Sequence, residues 1–154
     1  MSPAVSPDST PRASCSARHF EHFDHDADIG IRGLGPTRET AFEQAALALT
    51  AVITDPRLVS DRVRVDVTCE AADDELLLVD WLNAIVYEMA VGRLLFGRFR
   101  VEIENGRLRG SAWGEALDSR RHQPAVEIKG ATCTALEVAR LDDGSWVAQT
   151  VVDV

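Results

Sequence analysis

Beyond residue 18, the chain's polar and apolar positions fall into clear periods. Phe20, Phe23, Ile29 and Ile31 form an apolar series broken by polar residues and closed by Gly33 and Gly35-Pro36, which predicts one strand or two short ones. Thr37 then stands at an N-cap position with Glu39 in the first turn. Phe42, Ala45, Ala46, Leu49, Val52 and Ile53 recur at helical spacing until Asp55-Pro56, so a helix is expected over about 38–54. Val63, Val65, Val67 and Cys69 alternate with polar neighbours, the period of a strand with one wet face. After an Asp73-Asp74 cap comes a strongly apolar helix carrying Leu76, Leu77, Trp81, Leu82, Ile85, Val86 and Met89, which ends near Gly92 and should be the most buried element.

Leu95 to Glu104 alternates again and meets Asn105-Gly106, the preferred dipeptide of a type I′ turn, before Leu108 to Trp113 returns antiparallel. Residues 114–124 are polar and turn-like. Val126, Ile128, Thr132, Thr134, Leu136 and Val138 keep one parity along a long extended segment. Asp143-Gly144 then turns the chain into a last strand marked by Trp146, Ala148, Thr150 and Val152. The expected class is α+β: a mostly antiparallel sheet with two main helices packed on one face, in a single compact domain over 19–154. Residues 1–18 repeat Ser and Pro with hardly any large apolar side chain, which predicts a disordered tail.

Composition narrows the function. The 154 residues carry a net charge of −9, which works against tight binding to a phosphate backbone and suits a basic protein partner. Cys15, Cys69 and Cys133 form no CxxC pair and no zinc-like grouping with histidine. An odd cysteine count without a secretory core fits a reducing, cytoplasmic setting, and no apolar run approaches a membrane span.

Common catalytic signatures are missing: there is no phosphate loop, no GxGxxG after a strand, no HExxH and no GxSxG elbow. The remaining chemistry is acidic and sits at two places: His25-Asp26-Ala27-Asp28 near the start, and Asp153 beside the C-terminal carboxylate of Val154. If the first and last strands are neighbours, Asp28, Asp153 and Val154 could offer oxygen ligands to one hard cation. On the residues alone, two solvated acids near a terminus are the stronger reading, and His25 reads more readily as a structural group than as a ligand or base. A second polar cluster comprises Asp118, Arg121, His122, Glu127 and Lys129; on pattern, Glu127 and Lys129 make a solvated pair. Trp81, Trp113 and Trp146 each lie in an apolar period, which places them in the core rather than on a base-stacking surface.

With those residues set out, the sequence resembles the archease family. The likeness runs from about His19 to Val154 through His25-x-Ala27-Asp28-Ile29-Gly30-Ile31, the 41–49 stretch, Leu76 to Asn83, Ala112-Trp113-Gly114-Glu115, Arg121-His122, Glu127-Ile128-Lys129 and the 146–154 ending. The resemblance implies an accessory protein, not itself an enzyme, that activates an RtcB-type RNA ligase in tRNA splicing and RNA repair by promoting its guanylylation and multiple turnover. It implies metal ligands at Asp28, Asp153 and Val154, calcium or another hard divalent cation as cofactor, and Lys129 and His25 as further contact residues. Two positions depart from the family pattern: Asp26 stands where Thr is usual, and Cys133-Thr134 replace an aromatic-His pair. The rival readings are a stand-alone metal-dependent enzyme using His25, Asp28 and Asp153, and a chaperone-like binding module, which would need a large exposed apolar patch.

Overall fold

The computed structural model describes residues 17–154. The first sixteen residues of the expected tail, Cys15 among them, lie outside the described residues. The described chain is α+β, as its periodicity predicts. The apolar opening series is two strands, β1 (His19–His25) and β2 (Asp28–Gly35), joined at Asp26-Ala27. Helix α1 (Arg38–Ile53) follows, then a short 3-10 turn (Pro56–Leu58), β3 (Val63–Glu70), α2 (Asp74–Gly92), β4 (Leu94–Glu104), β5 (Arg107–Ala116), the short turn of helix α3 (Ser119–His122), β6 (Gly130–Ala131), β7 (Glu137–Arg140) and β8 (Trp146–Asp153).

The strands divide into two antiparallel sheets. One runs β1-β2-β8-β6 with β7 also paired to β8; the other is β3-β5-β4. The helices pack between these sheets. Helix α1 touches β2 and β8 on one side and β4 on the other, which explains why ten of its residues, from Ala41 to Ile53, are buried rather than one stripe. Its alanines permit close approach: a Cβ added to Gly33 would lie 2.2 Å from the Ala41 carbonyl oxygen. The N-cap is as expected, with the Thr37 side chain accepting from the Thr40 amide and the Thr40 hydroxyl accepting from the Thr37 N–H.

Helix α2 is capped by Asp73, whose carboxylate accepts from the Leu76 amide at 2.8 Å, and ends where Arg93 turns left-handed at φ 52°. Trp81 is fully buried, edge-on to Phe99 at 6.0 Å, with its indole N–H donating to the Phe42 carbonyl at 3.2 Å. Burying an indole while satisfying its one donor avoids the unpaired-polar penalty that a core tryptophan otherwise carries.

With five buried residues to the ten of α1, α2 is not the most buried element. Three further expectations change. First, β5 runs on to Ala116, into the stretch read as turn-like, because residues 114–116 pair with Leu94–Phe96. Second, the expected long extended segment is interrupted. Only Gly130–Ala131 and Glu137–Arg140 pair with β8, and the chain turns between them through Ala135 at φ 53°; Ala131 is opposite Val152 but Glu137 is opposite Gln149, so the register shifts between the pieces and a single straight strand cannot make both pairings. Third, a bulge at Gly97 flips the parity of β4, so that Leu95 and Phe96 are both buried before Phe99, Val101 and Ile103 resume the alternation.

Candidate functional site

Two strand ends meet at one margin of the five-stranded sheet. Ile29 of β2 is opposite Val152 of β8, and continuing that register one step sets Asp28 opposite Asp153. On the far side of β2, His25 is opposite Asp28; on the far side of β8, Gly130 is opposite Asp153. His25, Asp28, Asp153 and Gly130 therefore form one row across four strands. Directly opposed residues of antiparallel strands project to the same face with Cβ atoms about 4.5–5.5 Å apart. Ile31 and Val152, of the other parity, belong to the core, so the two carboxylates lie on the face turned away from α1.

Neither carboxylate makes a hydrogen bond or ion pair with another described residue. Four other aspartates are ion-paired to arginine: Asp55 to Arg57, Asp61 to Arg98, Asp66 to Arg64 and Asp74 to Arg38. Like charges directly opposite each other destabilise a sheet. Asp153 is exposed and Asp28 half-buried, so the edge is open rather than enclosed.

Among the described residues no three His, Cys, Asp or Glu side chains converge into a ready-made metal cage. The edge instead offers two carboxylates, the main-chain oxygens around Asp153 and Val154, and room for water. That all-oxygen donor set fits a hard cation and does not fit a soft one. His25 is 38% exposed at its side chain, with Nδ1 3.9 Å from an Asp26 carboxylate oxygen. Asp26 itself adopts φ 52°, a left-handed conformation that Asp tolerates better than most residues. Lys129, the sole lysine in the chain, donates its backbone N–H to the Asp153 carbonyl at 2.8 Å; its ammonium is exposed and has no partner among the described residues.

Asn83 on α2 is a contributor that the pattern did not single out by role. Its amide oxygen accepts from the Ala131 N–H at 2.9 Å and its amide nitrogen donates to the Ala131 carbonyl at 3.4 Å. A side chain thus stands in for a strand partner and holds the Gly130–Ala131 segment against the end of β8. The available signal was an exposed asparagine in the middle of an apolar helix, where propensity disfavours it.

The second polar cluster separates. Glu127 and Lys129 are exposed, while Arg121 and His122 join the buried Glu115. Glu115 accepts from the Ser60 amide at 2.9 Å and from Arg121, and meets His122 Nε2 at 3.0 Å. The Asp118 N–H donates to His122 Nδ1 at 2.9 Å, which places the ring proton on Nε2, facing the carboxylate. The Ser60 amide, working against burial and aided by His122 and Arg121, pulls the Glu115 carboxyl down to about 2. This cluster ties the end of β5 to the segment leading toward Lys129. Cys69 is a free thiol that burial, with Asp80 nearby, pushes up to about 11.

The tryptophans also separate. Trp81 is core and Trp146 packs against it, but Trp113 does not. Leu108, Gly110, Ala112 and Gly114 take the inward parity of β5, which leaves Trp113 on the outer face between Arg64 and Arg98.

These features define an α+β protein whose distinctive chemistry is an open acidic margin where early and late strands meet. The profile of the archease protein family (MTH1598/TM1083) matches residues 20–154. The chain is 44% identical over 141 residues to Protein archease of Pyrococcus furiosus, covering 89% of this chain and 99% of that relative. It is 38% identical over 146 residues to Protein archease of Methanosarcina barkeri, covering 92% and 99%. The solution structure of Methanobacterium thermoautotrophicum protein 1598 superposes with a TM-score of 0.73 at 34% identity, covering 88% of this chain and 98% of that one. The chain belongs to the archease family.

Proposed function

We propose that this protein is an accessory factor that activates an RtcB-type RNA ligase in tRNA splicing and RNA repair, promoting guanylylation and repeated turnover of the ligase, in the cytoplasm. In this reading Asp28 and Asp153 hold calcium or another hard divalent cation, with Val154 adding a main-chain oxygen. His25 and Lys129 flank that edge as contact residues, the Lys129 ammonium being suited to a phosphate or carboxylate of the partner. When bound, the cation supplies positive charge to an otherwise acidic margin.

The observation that carries the reading is the β2–β8 register, which opposes Asp28 to Asp153, neither carboxylate being ion-paired among the described residues. Family membership supplies the biological context. The openness of the edge favours an accessory role over the stand-alone enzyme built on His25, Asp28 and Asp153, because catalytic constellations are normally concave and shielded. An acidic surface also suits a basic, RNA-handling partner, for which charge complementarity speeds encounter.

The test incubates the purified protein with an RtcB-type ligase, GTP and a divalent cation and measures covalent transfer of the nucleotide to the ligase. Stimulation is expected from the wild type and should be lost with Asp153→Asn, whose fold is checked by circular dichroism. Full stimulation by the folded variant would overturn the reading, as would no stimulation by the wild type.

A further inference from the structure

The outer face of the β3-β5-β4 sheet carries an arrangement that the acidic edge does not use. Its rows are set by the register: Arg64, Trp113 and Arg98 lie side by side, and Asp66, Ser111 and Arg100 form the next row. The guanidinium carbons of Arg98 and Arg64 stand 4.2 and 5.4 Å from the Trp113 ring centroid. Small residues beside this ladder leave a hollow of about 570 Å³, reached by Ser111, Thr68 and Arg100. That volume is in the range of a small-ligand site, about 300–1,000 Å³.

The four arginines here are engaged differently. Arg64 and Arg98 have their edges tied by Asp66 and Asp61, each at 2.9 Å, yet their side chains are 57% and 60% exposed. They are fixed as flat plates that extend the indole stack. Arg62 and Arg100 are 76% and 72% exposed, and their nearest carboxylates lie at 3.6 and 4.0 Å. Arg62 and Arg100 are thus held only loosely, by Glu115 and Glu102 beyond hydrogen-bond distance, and can still turn their donors to a phosphate.

Flat, sequence-tolerant stacking plates beside loosely held, exposed guanidinium groups suit a polymer that presents both π-faces and phosphates. Around the hollow, Arg64, Arg98, Arg100 and Arg109 outnumber Asp66 and Glu102, so this patch is locally basic in a chain of net charge −9. The paired aspartates Asp28 and Asp153 belong to the other sheet, and at physiological salt charges separated by more than about 8 Å are largely screened.

We propose that this face binds single-stranded RNA weakly, with bases stacking on the Arg64–Trp113–Arg98 ladder and phosphates taken by Arg62 and Arg100. The choice of RNA rests on the proposed partnership with an RNA ligase; the surface chemistry does not.

The test is fluorescence anisotropy of a labelled single-stranded RNA of about 12 nucleotides, titrated with the full-length protein in the absence of ligase. Two phosphate contacts on a single strand predict roughly a sevenfold loss of affinity between about 50 and about 200 mM salt. Trp113→Ala should weaken binding about tenfold. The double variant Arg62→Ala/Arg100→Ala, on exposed positions that leave the core untouched, should flatten the salt dependence, and Arg140→Ala on β7 should change nothing. Thermal melts confirm that each variant is folded. No binding at low salt, binding unchanged in both the Trp113 and the double variant, or equal affinity for polyglutamate would overturn the proposal. RNA binding retained by a protein that fails to stimulate the ligase would support this surface and sink the accessory reading. Ligase stimulation without RNA binding would do the reverse.

Discussion

The register sets Asp28 opposite Asp153 across β2 and β8, and two like charges so placed make the cation reading measurable without any partner. Calcium bound only by the folded state stabilises it by about 2.7 kcal/mol at a concentration a hundredfold above its dissociation constant. Thermal unfolding of the wild type should therefore shift upward on adding calcium, and Asp28→Asn or Asp153→Asn should remove the shift. The same substitutions should raise the stability of the calcium-free protein by about 0.2–1 kcal/mol, because a like-charge opposition is relieved. A calcium shift retained in both variants would move the ion elsewhere. Glu115 supports a second prediction at this scale. Its folded-state carboxyl is held at about 2 against an ordinary 4.5, so its contribution is complete above 4.5 and is lost as pH falls toward 2. Across that window the urea midpoint of the wild type should fall more steeply than that of Glu115→Gln; parallel slopes would show that the Ser60, His122 and Arg121 contacts carry no linkage.

At the scale of elements, α1 reaches β2 only because residue 33 has no Cβ. Gly33→Ala would force an atom to within 2.2 Å of the Ala41 carbonyl and 2.3 Å of the Ala45 nitrogen, neither of which can rotate away. The expected cost is about 2–3 kcal/mol, read from chemical denaturation. A smaller loss would mean that helix and sheet slide apart easily. Asn83 links α2 to the acidic margin. Removing its two hydrogen bonds with Asn83→Ala should cost about 1 kcal/mol after alanine's better helix propensity is allowed for. It should also speed hydrogen exchange at the Ala131 amide; unchanged exchange would show that β8 alone holds β6.

Over the whole molecule the chemistry is segregated. Two opposed carboxylates without a partner among the described residues sit where β2 and β8 end, while the outer face of the other sheet collects the arginine–tryptophan ladder, with the helices between. Both main helices, the Asn105-Gly106 hairpin and the two acidic places were legible because caps, 3.6- and 2-residue periods and turn dipeptides are written in local covalent geometry. Trp113 was misread for a related reason: its apolar character suggested core, but the alternation through Leu108 and Ala112 turns it outward. The Gly97 bulge and the division of the 126–138 stretch were hidden because each depends on which neighbour a strand finds.

The amino-acid sequence alone determined the α+β class, the helix limits and the two acidic places, since each follows from residue types and contacts within a few positions along the chain. Only the tertiary structure decided that β2 lies beside β8, that Asp28 faces Asp153 and that Glu115 rather than Glu127 partners Arg121 and His122. Those outcomes join segments up to more than a hundred residues apart, and burial of the shared core, which has no local period, selects them.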